Sequence, residues 1–149
     1  MSDNNVSLHR VLKASPEKVY KAFTDATAMA SWLPPFGFLC TVHEMNAIVG
    51  GTYKMSFHNF STGHSHSFGG KFIELKPGEF LKYTDKFDDP NLPGEMITTV
   101  WLRKVIVGTE IKILQEGIPA VIPAEMCYLG WQESLKKLEQ LVEPNIPDA

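Results

Sequence analysis

Apolar positions recur with a helical period at the two ends of the chain and alternate with polar ones through most of the middle. Toward the C-terminus, Cys127, Trp131, Leu135, Leu138 and Val142 return every third or fourth residue, with Glu133, Lys136, Lys137 and Glu139 mostly elsewhere. That spacing predicts a long amphipathic helix from about Ala124 to Val142 that needs a sheet to cover its apolar stripe. Near the N-terminus, Val19, Tyr20 and Phe23 share one side of a helix from Pro16 through about Thr24. Ser15 suits its N-cap, because the hydroxyl can accept from an orphan backbone amide, and Pro16 suits the first helical position, where no amide partner is needed. A shorter helical segment follows over Ala26 to Trp32, and Pro34-Pro35 ends it.

The segments between read as strands. Val6 to Lys13 is the first, with Leu8, Arg10 and Leu12 on one parity and His9, Val11 and Lys13 on the other, so its facing stays open. Phe36 to Glu44 and Ala47 to Phe57 are the next two, with a turn near Met45-Asn46 and a bulge or sharp bend at Gly50-Gly51. A hairpin loop around Ser61-Thr62-Gly63 leads to a strand from about His66 to Leu75, and Pro77-Gly78 turns the chain into Phe80 to Phe87. The loop from Asp88 to Gly94 holds two prolines and a glycine, which exclude regular structure. Met96 to Val105 and Thr109 to Glu116 then pair across Val107-Gly108, and Gly117 to Pro123 links to the last helix. A curved antiparallel sheet closing on one long helix often leaves space between the two, so the layout points to a binding cavity before any catalytic motif appears.

Composition narrows the classes. A chain of 149 residues fits one domain with a core that needs no staples. A formal charge of -3 with interspersed signs gives no footprint for nucleic acid or an anionic membrane. Cys40 and Cys127 have no metal or redox spacing and are expected to be reduced core residues. The opening residues Met1 to Asn5 lack an apolar leader and no run reaches the length of a membrane span, so a cytoplasmic protein is expected, without membrane insertion.

Several segments then carry a resemblance: ASPEKVYKAFTD followed by Trp32, GGTYKMSF, GGKFIELKPGEFLKYTDKF, the strand from Met96 to Leu102, and QEGIP leading to GWQESLKKLEQLV. In this order, over Leu8 to Val142, the chain resembles the START-like superfamily of helix-grip proteins, in the branch related to the C-terminal domain of the Hsp90 ATPase activator. The resemblance implies an α+β fold in which a strand, two short helices and an antiparallel sheet wrap a long C-terminal helix. It implies a cavity more firmly than one reaction, since members bind lipids, hormones or polyketides and some cyclise or hydrolyse. Relatives often carry an aromatic residue where this chain has Asp85, which would make the pocket more polar here.

Strand parity nominates the lining. The more apolar parity should face the helix, which turns Tyr53, Met55 and Phe57 inward, then Leu81, Tyr83 and Phe87, then Val100 with Leu102 and Ile111 with Ile113. Asp85 and Gln115 share those parities and come inward with them, and a buried carboxylate needs a partner or a raised pKa. The better account puts Asp85 in water at a strand end or against Arg10 or Lys82, since parity slips easily near strand ends. Trp32, Phe36 and Phe38 bracket the double proline as cavity wall or lid, or as a plug against the first helix. Trp131 is expected in the cavity roof; Met126 shares its ambiguity with the core. Trp101 has the opposite parity from Val100 and Leu102, which suggests a homodimer contact on the convex face.

Chemistry beyond binding has thin support. His64 and His66 would share a strand face with His58 across the hairpin, yet solvated loop histidines are the better account, and no metal or cofactor is expected. Ser67 and Ser134 lack a nucleophile elbow, and Gly50-Gly51 and Gly69-Gly70 lie in strand patterns, where bulges and close packing explain them. Glu74 could pair with Asp85 if both faced inward, but Ile73 and Leu75 compete for that face. Three functions follow in order: binding of a small hydrophobic or amphipathic molecule anchored by Tyr83, Asp85 and Gln115; a cyclase or hydrolase using Asp85, Glu74 or a histidine as base; and a chaperone-regulating module. Hsp90 itself is not an expected partner, because the chain lacks the additional N-terminal domain of its activators.

Overall fold

The computed structural model describes residues 4–148; the segment before Asn4 and Ala149 lie outside it. Seven strands form one curved antiparallel sheet in the order β1-β7-β6-β5-β4-β3-β2, with two short helices after the first strand and a long helix at the C-terminus. The strands are β1 (Val6–Leu12), β2 (Phe38–Met45), β3 (Thr52–Asn59), β4 (Ser65–Lys76), β5 (Phe80–Phe87), β6 (Met96–Val105) and β7 (Gly108–Glu116), and the helices are α1 (Pro16–Thr24), α2 (Ala26–Trp32) and α3 (Ala124–Val142). This is the α+β helix-grip architecture.

Local chemistry sets the helix ends. Ser15 Oγ accepts from the Lys18 N–H at 3.2 Å with Pro16 in the first helical turn, and Asp25 Oδ1 accepts from the Ala28 N–H at 2.9 Å to start α2. Helix α3 begins at Pro123 with no side-chain cap, and the Met126 N–H donates instead to the Pro123 carbonyl at 3.0 Å.

One parity of each strand fills the core. Leu8 and Leu12 of β1 turn inward while Val11 stays exposed, which resolves the facing that the sequence left open. Leu81, Val100, Leu102, Ile111 and Ile113 continue this floor, and Leu135, Leu138 and Val142 of α3 close it. Each such side chain contributes about 1.5–3 kcal/mol by leaving water.

Two boundaries differ from expectation. Residues expected to open the third strand, Ala47 to Gly51, instead make a compact loop closed by the Gly51 N–H on the Ile48 carbonyl at 2.8 Å. The first residues expected in the second strand, Phe36 and Gly37, belong to the turn after the double proline, closed by the Phe38 N–H on the Pro35 carbonyl at 3.1 Å. Both cysteines are unpaired, as expected, and pack against the core while staying only partly buried.

Candidate functional site

The sheet is broken at one place on its inner face. Strands β4 and β5 pair regularly at Phe68 with Phe87 and Gly69 with Lys86, and again at Phe72 with Tyr83. Between these pairs the Lys71 N–H turns to Thr84 Oγ1 at 3.0 Å, and the Thr84 carbonyl accepts the Tyr53 hydroxyl proton at 2.7 Å. Gly70 makes room for this, since a Cβ there would lie 1.9 Å from the Thr84 carbonyl oxygen. Interruptions of a ladder re-aim the neighbouring side chains. The Tyr53 hydroxyl bridges β3 to β5 over the gap. Tyr53→Phe is therefore expected to cost about 1–3 kcal/mol in urea unfolding, because the Thr84 carbonyl loses a buried donor; unchanged stability would mean that water replaces the phenol.

Asp85 stands next to the break. Its Oδ1 is sealed from solvent and has no hydrogen-bond partner among the described residues. Burial pushes its carboxyl up to about 7, while the Tyr53 hydroxyl and the Lys86 backbone N–H pull in the opposite direction. The phenols of Tyr53 and Tyr83 are raised in turn, first by burial and then by the Asp85 charge. Thr98 lies opposite Tyr83 in the ladder, with its hydroxyl beside that phenol but in no well-formed hydrogen bond. Cys127, in the first turns of α3, has its thiol raised by burial and then by the same carboxylate.

Aromatic rings surround these groups. Tyr53, Phe72 and Tyr83 lie 5.8 to 6.1 Å apart between centroids. Toward the rim, Phe57 meets Phe68 edge-on at 4.8 Å, and His66 sits among Phe38, Phe57, Phe68 and Phe87 at 5.7 to 6.3 Å. Phe57, Asp85, Phe87 and Cys127 each keep part of their surface open. These partly open residues delimit the candidate crevice. The first turns of α3 are the loosely held end of the helix: Met126 is 66% and Leu129 56% exposed. The rest of α3 is tied down, with Ser134 Oγ donating to the Leu33 carbonyl at 2.5 Å, Lys137 Nζ to the Pro34 carbonyl at 2.8 Å, and Glu133 Oε1 accepting from the Phe36 N–H at 3.1 Å. Larger concavities lie elsewhere, about 530 Å³ beside Trp101, Arg103 and Glu110 and about 370 Å³ beside Lys13, Glu139 and Glu143.

The nominated residues divide into three groups. Tyr53, Phe57, Tyr83 and Asp85 come together around the break and the crevice. Met55, Val100 and Ile113 form closed floor with no surface of their own to offer, and Gln115 is engaged, its Oε1 accepting the Trp131 Nε1–H at 3.1 Å. Trp32 and Phe36 stand apart: Trp32 is sealed in the core between α1 and α2, while Phe36 is 56% exposed in the turn after the prolines.

Other candidates separate as well. Glu74 faces outward toward Lys76 at 3.5 Å, because a bulge between Phe72 and Glu74 reverses the parity that would have brought it to Asp85. His58 bonds Thr41 and Ser65 at 2.9 and 2.6 Å, one register position from the Phe57–His66 pair and hence on the opposite face from His66. Ser67 is bonded to Ser56, itself joined to His43. Trp101 is 42% exposed on the convex face, edge-on to Phe80 at 6.0 Å. The sequence missed Cys127 as a neighbour of Asp85 and the ladder break; Gly69-Gly70 was the available signal, legible as close packing but not as a redirected carbonyl.

A sheet gripping one long helix, with polar groups on the inner wall, defines the class as a helix-grip protein. The model of the family described as Activator of Hsp90 ATPase homolog 1-like protein matches residues 13–143, and the chain belongs to that family. It is similar to a Chromobacterium violaceum protein of solved structure, 57% identical over 97% of this chain and 100% of that one, with a TM-score of 0.95. A Rhodobacter sphaeroides protein (22% identity, 94% and 92% covered, TM-score 0.82) and the AHSA1 protein of Silicibacter pomeroyi (17%, 91% and 95%, TM-score 0.80) share the fold. No curated protein matches the chain. Among the described residues no helix is long and apolar enough to cross a membrane.

Proposed function

We propose that the protein binds an amphipathic small molecule in the crevice between β3–β5 and the first turns of α3, with Asp85 and Tyr83 as polar anchors. The observation that carries this is Asp85 Oδ1, a sealed acceptor without a partner on a wall otherwise made of aromatic rings. Native proteins seldom leave such an atom unpaired, and where they do a ligand or ion is a common reason. The uncapped, exposed start of α3 is the element best able to move aside for entry. Family membership agrees with a ligand-binding role. Native mass spectrometry of the purified protein tests it: a retained organic mass, lost on denaturation, is expected. A clean apo mass, unchanged by a panel of lipids, aromatic acids and aromatic amines, would sink it.

A second function has one observation in its favour. A carboxyl pushed up to about 7 is suited to proton transfer near neutral pH. In that case Asp85 serves a bound substrate as general acid or base, and turnover in a substrate screen would disappear in Asp85→Asn.

A further inference from the structure

The inner wall near the start of α3 has an unusual charge balance. From β3 it receives Tyr53, with the Glu95 carboxylate close enough to raise that phenol. Strand β4 supplies His66, whose pKa is lowered by burial and by His58. Strand β5 contributes Tyr83 and Asp85, and α3 contributes Cys127, a thiol held protonated by burial. Lys137 is engaged by the Pro34 carbonyl and lies ten residues further along α3, about 15 Å on. No described cation pairs with Asp85, and ionisation of Tyr53, Tyr83 or Cys127 would only add negative charge.

We propose that the occupant of the crevice is an amphipathic amine, its protonated nitrogen donating to Asp85 Oδ1 and its aryl or alkyl body lying along Phe57, Phe68 and Phe87. This rests on the binding function proposed above and specifies its ligand chemistry. Three head groups compete for the site. A carboxylate head would face Asp85 and Glu95 with no cation to offset it. A neutral hydroxyl would fill the hydrogen bond at Oδ1 yet leave the buried charge uncompensated. An ammonium does both. The ladder break gives the site its shape: the Tyr53 hydroxyl donates to the Thr84 carbonyl, and Asp85 Oδ1 has no hydrogen-bond partner among the described residues.

Calorimetric titration with phenylbutylamine, phenylbutanol and phenylbutanoate, which share one body, tests the head group. At about pH 8 the amine is expected to bind tighter than the alcohol by a factor on the order of ten or more, with the acid weakest. Asp85→Asn should abolish the preference for the amine over the alcohol. Near pH 7 amine binding should also release protons, seen as a dependence of the heat on buffer ionisation, since an ammonium favours the ionised carboxyl. Equal binding of the three probes, or an amine preference that survives in Asp85→Asn, overturns the amine and leaves the crevice. No binding by any probe overturns the amine, and the crevice then stands or falls by native mass spectrometry.

Discussion

Between about pH 4 and pH 7 the protein is expected to lose roughly 3 kcal/mol of unfolding free energy relative to Asp85→Asn. Asp85 has a folded pKa pushed up to about 7 by burial, while the unfolded chain titrates it near an ordinary carboxyl value of about 4. In that window the folded state holds a proton that the unfolded state has released, so stability falls as pH rises, by about 1.4 kcal/mol per pH unit. Below the window both states are protonated, and above it both are ionised with the penalty complete. The Asn variant is needed as reference because other groups move with pH. Glu110, drawn down to about 2 by Arg103 and His9, loses its contribution only in stronger acid, and His66, lowered by burial, favours the folded state as pH rises. Both act equally in the two proteins. Urea midpoints of wild type and variant across this range give the difference directly. Parallel curves would show that the carboxyl titrates as if exposed, which would remove the basis of both the anchor and the amine.

The same residue shows how far the sequence could be followed. Parity offered one direction, inward with Tyr83 and Phe87, but so close to a strand end a solvated carboxylate was the better account of the sequence. The order of elements and the buried stripe of α3 were legible, because periodicity is a one-dimensional trace of which face meets the core. What fails to project onto one dimension is anything that breaks the period. The bulge at Ile73 reverses the facing of Glu74, and only the pairing with β5 reveals it. Tyr53 reaches the Thr84 carbonyl across two strand intervals, a contact that depends on the missing Cβ of Gly70. His58 and His66 look like partners by spacing and are parted by one register step. Cys127 belongs to the apolar stripe of α3, yet its thiol feels the Asp85 charge, a proximity that no sequence period encodes.

Trp32→Ala is expected to cost about 3–5 kcal/mol, the largest loss of any single substitution considered. Trp32 ends α2 with its ring fully buried, its Nε1–H donating to the Ala22 carbonyl at 2.8 Å and its edge on Phe23 at 4.8 Å. Sequence alone allowed this ring to be a lid or a plug, and the two differ in what truncation does. A lid residue would leave stability nearly intact and change ligand entry. A plug opens a cavity at the junction of α1 and α2, just before the proline segment that Ser134 and Lys137 tie to α3. Loosening that junction weakens the anchored half of α3, so the loss should fall on global unfolding, with an unchanged urea m-value if the denatured state is the same. Trp32→Phe separates the two contributions: it keeps most of the ring volume, removes the donor from Ala22, and is expected to cost about 1–3 kcal/mol. A loss below about 1 kcal/mol for Trp32→Ala would return Trp32 to the mobile rim of the binding crevice. In that event α2, and not only the start of α3, would be the element that opens.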